Sequence, residues 1–205
     1  MSRYIGQYVK TCDLCLHTKV QQSPPVGELS PLPTPESHWD TISVDFIVEL
    51  PESHGYNMIM NVIDSVSKVS HFIPTPTTIT ALGAACLFLT HIWKLHGLLK
   101  QVVSNQGPQF IVELMRELYH LLGIKLAATM AHHPQGDGQI KRVNQELEQY
   151  LCLFVNERQD NWDKLLPLAE FQYNNHVHSV TQQTPFMLDS RRHPQMGFEP
   201  HQAES

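Results

Sequence analysis

No stretch of this chain approaches the about twenty consecutive apolar residues that a membrane-spanning helix needs, and the opening "MSRYIGQYVK" lacks the apolar middle of a signal peptide. Neither a membrane span nor secretion is expected, and an intracellular protein is the default. Cysteine is scarce. Of four, only Cys12 and Cys15 stand at CxxC spacing, while Cys86 and Cys152 fall inside helix-like runs, which argues for reduced thiols rather than a disulfide framework. Basic side chains are also short, 14 Lys and Arg against 20 Asp and Glu, for a net charge of -6. A protein that holds nucleic acid through phosphates usually has the opposite excess, so any such surface must be local. The 13 histidines add charge only when protonated, which is partial near neutral pH.

What the chain does have is apolar content, 41% over 205 residues, enough to bury a core in one domain with a short appendage. Residues 1–22 read as a short helix running into "TCDLCLHTK". Residues 23–38, with five prolines from Pro24 to Pro35, read as an extended linker. Residues 39–190 hold the domain, and 191–205 a tail. "TISVDFIVEL", "MIMNVIDSVS" and "VSHFIPT" are rich in β-branched and aromatic residues, and "SHGYN" between the first two supplies a turn, so these are expected to be antiparallel neighbours.

Thr80 caps a helix that closes at Gly97, "LKQVVS" is a fourth strand, and a second helix starts at Pro108. On that helix Phe110, Leu114, Leu118 and Leu121 share a stripe, and Gly123 ends it. "IKLAATM" is read as a fifth strand and "AHHPQGDG" as a loop. A third helix carries Ile140, Val143, Leu147, Tyr150 or Leu151, and Phe154 on one face, and "WDKLLPLAEFQYNNHVH" is a fourth helix containing a proline. Phe88, Ile92, Trp93 and the stripe Leu165, Leu166, Leu168, Phe171 are expected in the core first, at an interface second. The order βββ, α, β, α, β, α, α predicts an α/β domain, a five-stranded mixed sheet flanked by helices.

Three positions fall where such a layout concentrates chemistry: Asp45 in the first strand, Asn105 just after the fourth, and Lys141 near the start of the third helix. Thirty-five residues lie between Asn105 and Lys141. Together with "SVDFIVELP", "VIDSVSKVSHFIP", "VVSNQGPQF", "LLGIKL", "HHPQGDGQIKRVNQELEQYL" and "WDKLLPLAEFQYNN", in that order over nearly the whole chain, they resemble the integrase of Ty3/gypsy-type retrotransposons. The resemblance implies a ribonuclease-H-like fold and a polynucleotidyl transferase with three metal-binding carboxylates. The first aligns with Asp45, the second with the position now Asn105, and the third with the position now Lys141.

Two of the three carboxylates are thus replaced, which implies a degenerate or domesticated copy. The family's site uses paired Mg²⁺ ions in phosphoryl transfer, and Mg²⁺ wants anionic oxygen ligands. Asn105 offers a neutral carbonyl oxygen, and Lys141 offers only donors and a positive charge. Two unit charges 4 Å apart are worth about 4 kcal/mol at an effective dielectric of about 20, and a divalent ion doubles that. Losing two attractions and gaining one repulsion is expected to defeat metal binding, so no Mg²⁺ and no catalysis are expected. Glu146, five residues past Lys141, lies about 140° round the helix. Asp137, in the preceding loop, is the one stand-in acid, and an active Mg²⁺-dependent transferase using Asp45 with Asp137 is the alternative. With the triad broken, Asp45 is expected to pair with Lys141, and Asp64 reads as a turn or strand-end acid.

The resemblance also casts Cys12 and Cys15 as the second half of a His-His-Cys-Cys zinc module. Its histidines would have to precede residue 1, so a metal-free pair is expected. His71, His96, His132 and His133 read as ordinary surface histidines. Lys141, Arg142, Asn144 and Gln145 form the candidate nucleic-acid surface, opposed by Glu146 and Glu148. DNA binding, homo-oligomerisation and a nuclear location are the expectations the resemblance brings. A protein-interaction scaffold, favoured by the acidic net charge, is the remaining alternative.

Overall fold

The computed structural model describes residues 8, 35, 37–104, 108–123, 132–133 and 138–195. The chain divides into two compact units, Met1–Thr34 and Pro35–Ser205. In the first, Tyr8 is helical and exposed.

The second unit is built on β1 (Thr41–Ile47), β2 (Met58–Asp64), β3 (Ser70–Thr75), β4 (Gln101–Ser104) and β5 (His132–His133), in the sheet order β3-β2-β1-β4-β5. The first three strands form the expected antiparallel meander, while β1–β4 and β4–β5 pair in parallel. Ser53 and Tyr56 exchange both backbone hydrogen bonds at the β1–β2 turn. His54 and Gly55 between them both take positive φ, the left-handed conformation a tight hairpin demands and one that glycine adopts freely. The fifth strand lies at His132–His133, in a segment read as loop from the sequence, and "IKLAATM" falls outside the described residues.

Helices cover both sheet faces. One side carries α1 (Ala81–Phe88), which continues through a π-helical turn (Leu89–Trp93) into α2 (Lys94–His96), and then α3 (Pro108–Leu121). The other carries α4 (Gly138–Phe154) and α5 (Trp162–Asn175), and a short α6 (Pro185–Ser190) follows. The expected caps are present: Thr80 Oγ1 accepts from the Gly83 amide at 3.1 Å, and Gly97 closes the helix with φ of 80°. The π-helical turn is a departure from the single regular helix expected. Within it Thr90 Oγ1 donates to the Cys86 carbonyl at 2.8 Å, a side-chain bond that competes with the backbone ladder.

Period-two alternation along the strands sorts side chains between the two cores. Ile42, Val44, Phe46, Met60 and Val62 pack with Phe88, Ile92, Leu114 and Leu118. Ile47, Ile59, Ile63 and Phe72 pack with Ile140, Val143, Leu147, Leu151, Trp162 and Leu166. All seven residues of β2 are buried, as its place within a sheet covered on both faces requires. Of Tyr150 and Leu151, the sequence's two alternatives, Leu151 completes the buried face of α4. Three helix-stripe expectations change: Phe154 is 57% exposed, and Leu121 and Leu168 also stand exposed. Ile111 and Met115 take the corresponding core places on α3. Among the described residues no helix is long and apolar enough to cross a membrane.

Candidate functional site

On β1 the odd positions Ser43, Asp45 and Ile47 share the sheet face that α4 covers. Asp45 pairs in register with Asn61 of β2, whose side chain projects to the same face. α4 meets this face through Ile140, Val143 and Leu147, and Asn144 beside Val143 is carried inward with them, half-buried.

A chain of side-chain hydrogen bonds results. Asn144 Nδ2 donates to Asp45 Oδ2 at 3.0 Å, and Asn61 Nδ2 donates to Asn144 Oδ1 at 2.8 Å. Ser70 Oγ donates to Asn61 Oδ1 at 2.6 Å. Asn174 of α5 brackets the strand that carries Ser70, its Oδ1 accepting from the Ser70 amide and its Nδ2 donating to the Ser70 carbonyl, each at 2.9 Å. Four elements are thereby tied to Asp45 by neutral groups whose donors and acceptors match in sequence.

Lys141 lies one turn before Asn144 and is exposed, and no ion pair within 4 Å joins it to Asp45. The expected Asp45–Lys141 pairing is therefore corrected to an Asp45–Asn144 hydrogen bond. The amide reaches the carboxylate because it sits on the inward side of the helix, whereas a lysine head avoids burial by extending into water. Of the candidate nucleic-acid residues, Lys141, Arg142 and Gln145 are exposed on α4 and Asn144 is turned inward. Asn105, Asp137, Cys12 and Cys15 lie outside the described residues.

Asp64 ends β2 fully buried, as a strand-end acid. Its Oδ1 accepts from the Trp39 amide at 2.9 Å, and its Oδ2 accepts from the Ser67 amide and hydroxyl, each at 2.7 Å. It organises the β2–β3 turn rather than facing a reaction site.

A second cluster was not legible in the sequence. His71 and His96 face each other with Nε2 atoms 3.0 Å apart, and His71 Nδ1 lies 2.9 Å from Glu170 Oε1. The His96 ring stacks on Trp39 at a centroid distance of 3.5 Å, and Trp39 Nε1 donates to Asp189 Oδ1. Burial, then the neighbouring His71, lowers the His96 pKa to about 4. These two histidines are half-buried and in mutual contact rather than ordinary surface residues. Their separation of 25 positions, and that of 99 between His71 and Glu170, left no local signal. Among the described residues no three His, Cys, Asp or Glu side chains converge as a metal site.

A five-stranded mixed sheet whose first strand carries an acid under an asparagine-bearing helix is the architecture of a ribonuclease-H-like integrase catalytic core. Solved structures bear out the fold. A simian T-cell lymphotropic virus intasome bound to the PP2A regulatory subunit B56 gamma superposes at TM-score 0.62 and 16% identity, over 98% of this chain and 70% of that one. The BIV integrase catalytic core superposes at 0.53 and 18%, over 75% of this chain and 95% of that one. The HTLV-2 integrase catalytic core in complex with magnesium superposes at 0.50 and 17%, over 73% and 95%.

By sequence the chain is a homologue of Ty3/gypsy-type retrotransposon polyproteins. It is 32% identical over 192 residues to the transposon Tf2-3 and Tf2-4 polyproteins of Schizosaccharomyces pombe, with 94% of this chain matched. The chain spans 14% of the length of those relatives. No family model matches it.

Proposed function

We propose that this chain is an integrase-fold domain that has lost two-metal chemistry and retains a nucleic-acid-binding face. The observation that carries the reading is the state of the one remaining carboxylate. Asp45 accepts a hydrogen bond from a neutral amide, Asn144 Nδ2, while the helix position of the third acid bears an exposed ammonium. The magnesium of the HTLV-2 core asks for several anionic oxygens. One carboxylate, one neutral amide position and one lysine do not fit it.

The binding face is the outer side of α4, where Lys141 and Arg142 are adjacent cations and Gln145 adds an amide. A nuclear location accompanies this reading, since chromosomal DNA is the partner its relatives' chemistry suggests. The test is restoration by Asn105→Asp with Lys141→Glu, followed by Mg²⁺ calorimetry and a strand-transfer assay. The restored protein is expected to gain metal binding that the unmodified chain lacks. Metal-dependent nicking by the unmodified chain, abolished by Asp45→Ala, would instead establish the Asp45–Asp137 transferase. DNA affinity that falls steeply between low and moderate salt supports phosphate contacts.

A second reading, self-association, is favoured by one apolar surface. Leu153 and Phe154 of α4, both exposed, line a cavity of about 410 Å³ with Tyr150 and Tyr173, at the groove between α4 and α5. Grouped apolar side chains of this size on a solvent face commonly mark a protein contact.

A further inference from the structure

Between the β2–β3 turn, α4 and the segment after α5 lies a cavity of about 240 Å³. Lys68 enters from the turn, Gln139, Arg142 and Glu146 from α4, Tyr173 from α5, and His178 from the following segment. A smaller cavity shares Arg142, Glu146, Tyr173 and His178 with it, so these side chains wall a continuous cleft. We propose that this cleft is a binding site for a phosphate group, with Arg142 and Lys68 supplying the charge and Tyr173 Oη supplying a directed hydrogen bond.

Three independent observations carry it. First, the cations converge from different elements on a chain whose net charge is -6, where basic side chains are few and their grouping is not a matter of composition. Lys68 Nζ is held at the wall by the Ser65 carbonyl at 2.5 Å and by Gln139 Oε1 at 2.8 Å, so its charge is fixed in place rather than left to a mobile side chain. Second, the guanidinium of Arg142 forms no ion pair within 4 Å among the described residues, although Glu146 lines the same cleft one turn away. A planar fork of donors without a carboxylate suits a phosphate.

Third, Tyr173 Oη is buried and has no hydrogen-bond partner among the described residues, a deficit that a ligand acceptor would fill. Burial, then the Glu146 charge, raises the Tyr173 pKa, so the hydroxyl stays protonated and able to donate. Burial, then Lys68, lowers the His178 pKa, and its Nδ1 accepts from the Val180 amide at 3.3 Å, which leaves Nε2 for a bound group. Glu146 opposes an anion, but the two cations Lys68 and Arg142 outweigh one carboxylate. Its presence limits affinity and gives the site a predicted response of opposite sign.

The phosphate could belong to a nucleic-acid strand or to a small free phosphate compound. The first would extend the proposed α4 face inward from Arg142, and the second would stand without it. The test uses the full isotope-labelled chain in two titrations at constant ionic strength. One adds inorganic phosphate and the other a short single-stranded oligodeoxynucleotide, with resonances of Arg142, Tyr173 and His178 followed by NMR.

Saturable shifts at these residues are expected. Arg142→Ala should weaken binding about tenfold, the scale of one charge-assisted hydrogen bond. Tyr173→Phe, which keeps the packed ring, should weaken it severalfold, and Glu146→Gln should tighten it. Shifts with both ligands assign a strand phosphate, and shifts with phosphate alone assign a free one. Absence of saturable shifts with either ligand, or affinities that Arg142→Ala and Glu146→Gln leave unchanged, would overturn the site. Oligonucleotide binding that persists unaltered in those variants removes this cleft while leaving the nucleic-acid reading intact, so the two failures are distinct.

Discussion

Asn144 of α4 donates its side-chain amide to the carboxylate of Asp45 on β1 at 3.0 Å, across 99 residues of sequence. That bond takes up an acid whose expected partner, Lys141, extends into solvent one helical turn away. It also gives Asp45 a structural role, because Asn61 and Ser70 continue the chain of donors and acceptors behind Asn144.

The coupling can be measured. Asp45→Ala and Asn144→Ala should each cost about 1–3 kcal/mol, the penalty for stranding a half-buried polar partner. Their double mutant should cost less than the sum, whereas Asp45→Ala with Lys141→Ala should be additive. Urea unfolding of the three single and two double variants decides it, and coupling to Lys141 instead of Asn144 would contradict the geometry.

The His71–His96 contact predicts acid sensitivity. The His96 pKa is lowered to about 4 in the folded chain, so between that value and the ordinary 6.5 the unfolded state binds the extra proton. Stability from this group is full above about pH 6.5 and is lost as pH falls toward 4. After discounting for its partial exposure, the loss should be about 1–2 kcal/mol. Unfolding free energies measured between pH 4 and 7 should show this slope, and His96→Phe, which keeps a ring on Trp39, should flatten it.

Core packing on the α1–α3 face predicts a larger effect at one methyl-rich position. Leu118 is fully buried among the residues of that cluster, and Leu118→Ala should cost about 2–5 kcal/mol through lost transfer energy and a residual cavity. The exposed Leu121, one turn on, should tolerate the same change within about 0.5 kcal/mol. Thermal melts of both variants make the comparison.

Self-association through the α4–α5 surface predicts that Phe154→Asp with Leu153→Asp lowers the oligomeric state at micromolar concentration while leaving the unfolding midpoint nearly unchanged. Both side chains are already in water in the single chain, so the fold loses little by their replacement. Sedimentation of the wild type as a monomer over the same range would remove this reading.

Local patterns carried much of this protein on their own. The β-branched and aromatic runs of β1 to β3, the Thr80 cap, the Gly97 terminus and the apolar stripe Ile140, Val143 and Leu147 were all legible, because each rests on local composition, on contacts within a few residues or on one period of repetition. The spacing of Asp45, Asn105 and Lys141 could also be read directly from the residues. Tertiary structure alone decided which partner Asp45 takes, which of Tyr150 and Leu151 is buried, and that His71, His96, Glu170 and Trp39 meet. Those outcomes depend on helix rotation against the sheet and on side chains brought together from 25 to 99 positions apart. A few ångströms of registry choose between an inward amide and an outward ammonium, and no local periodicity encodes that choice.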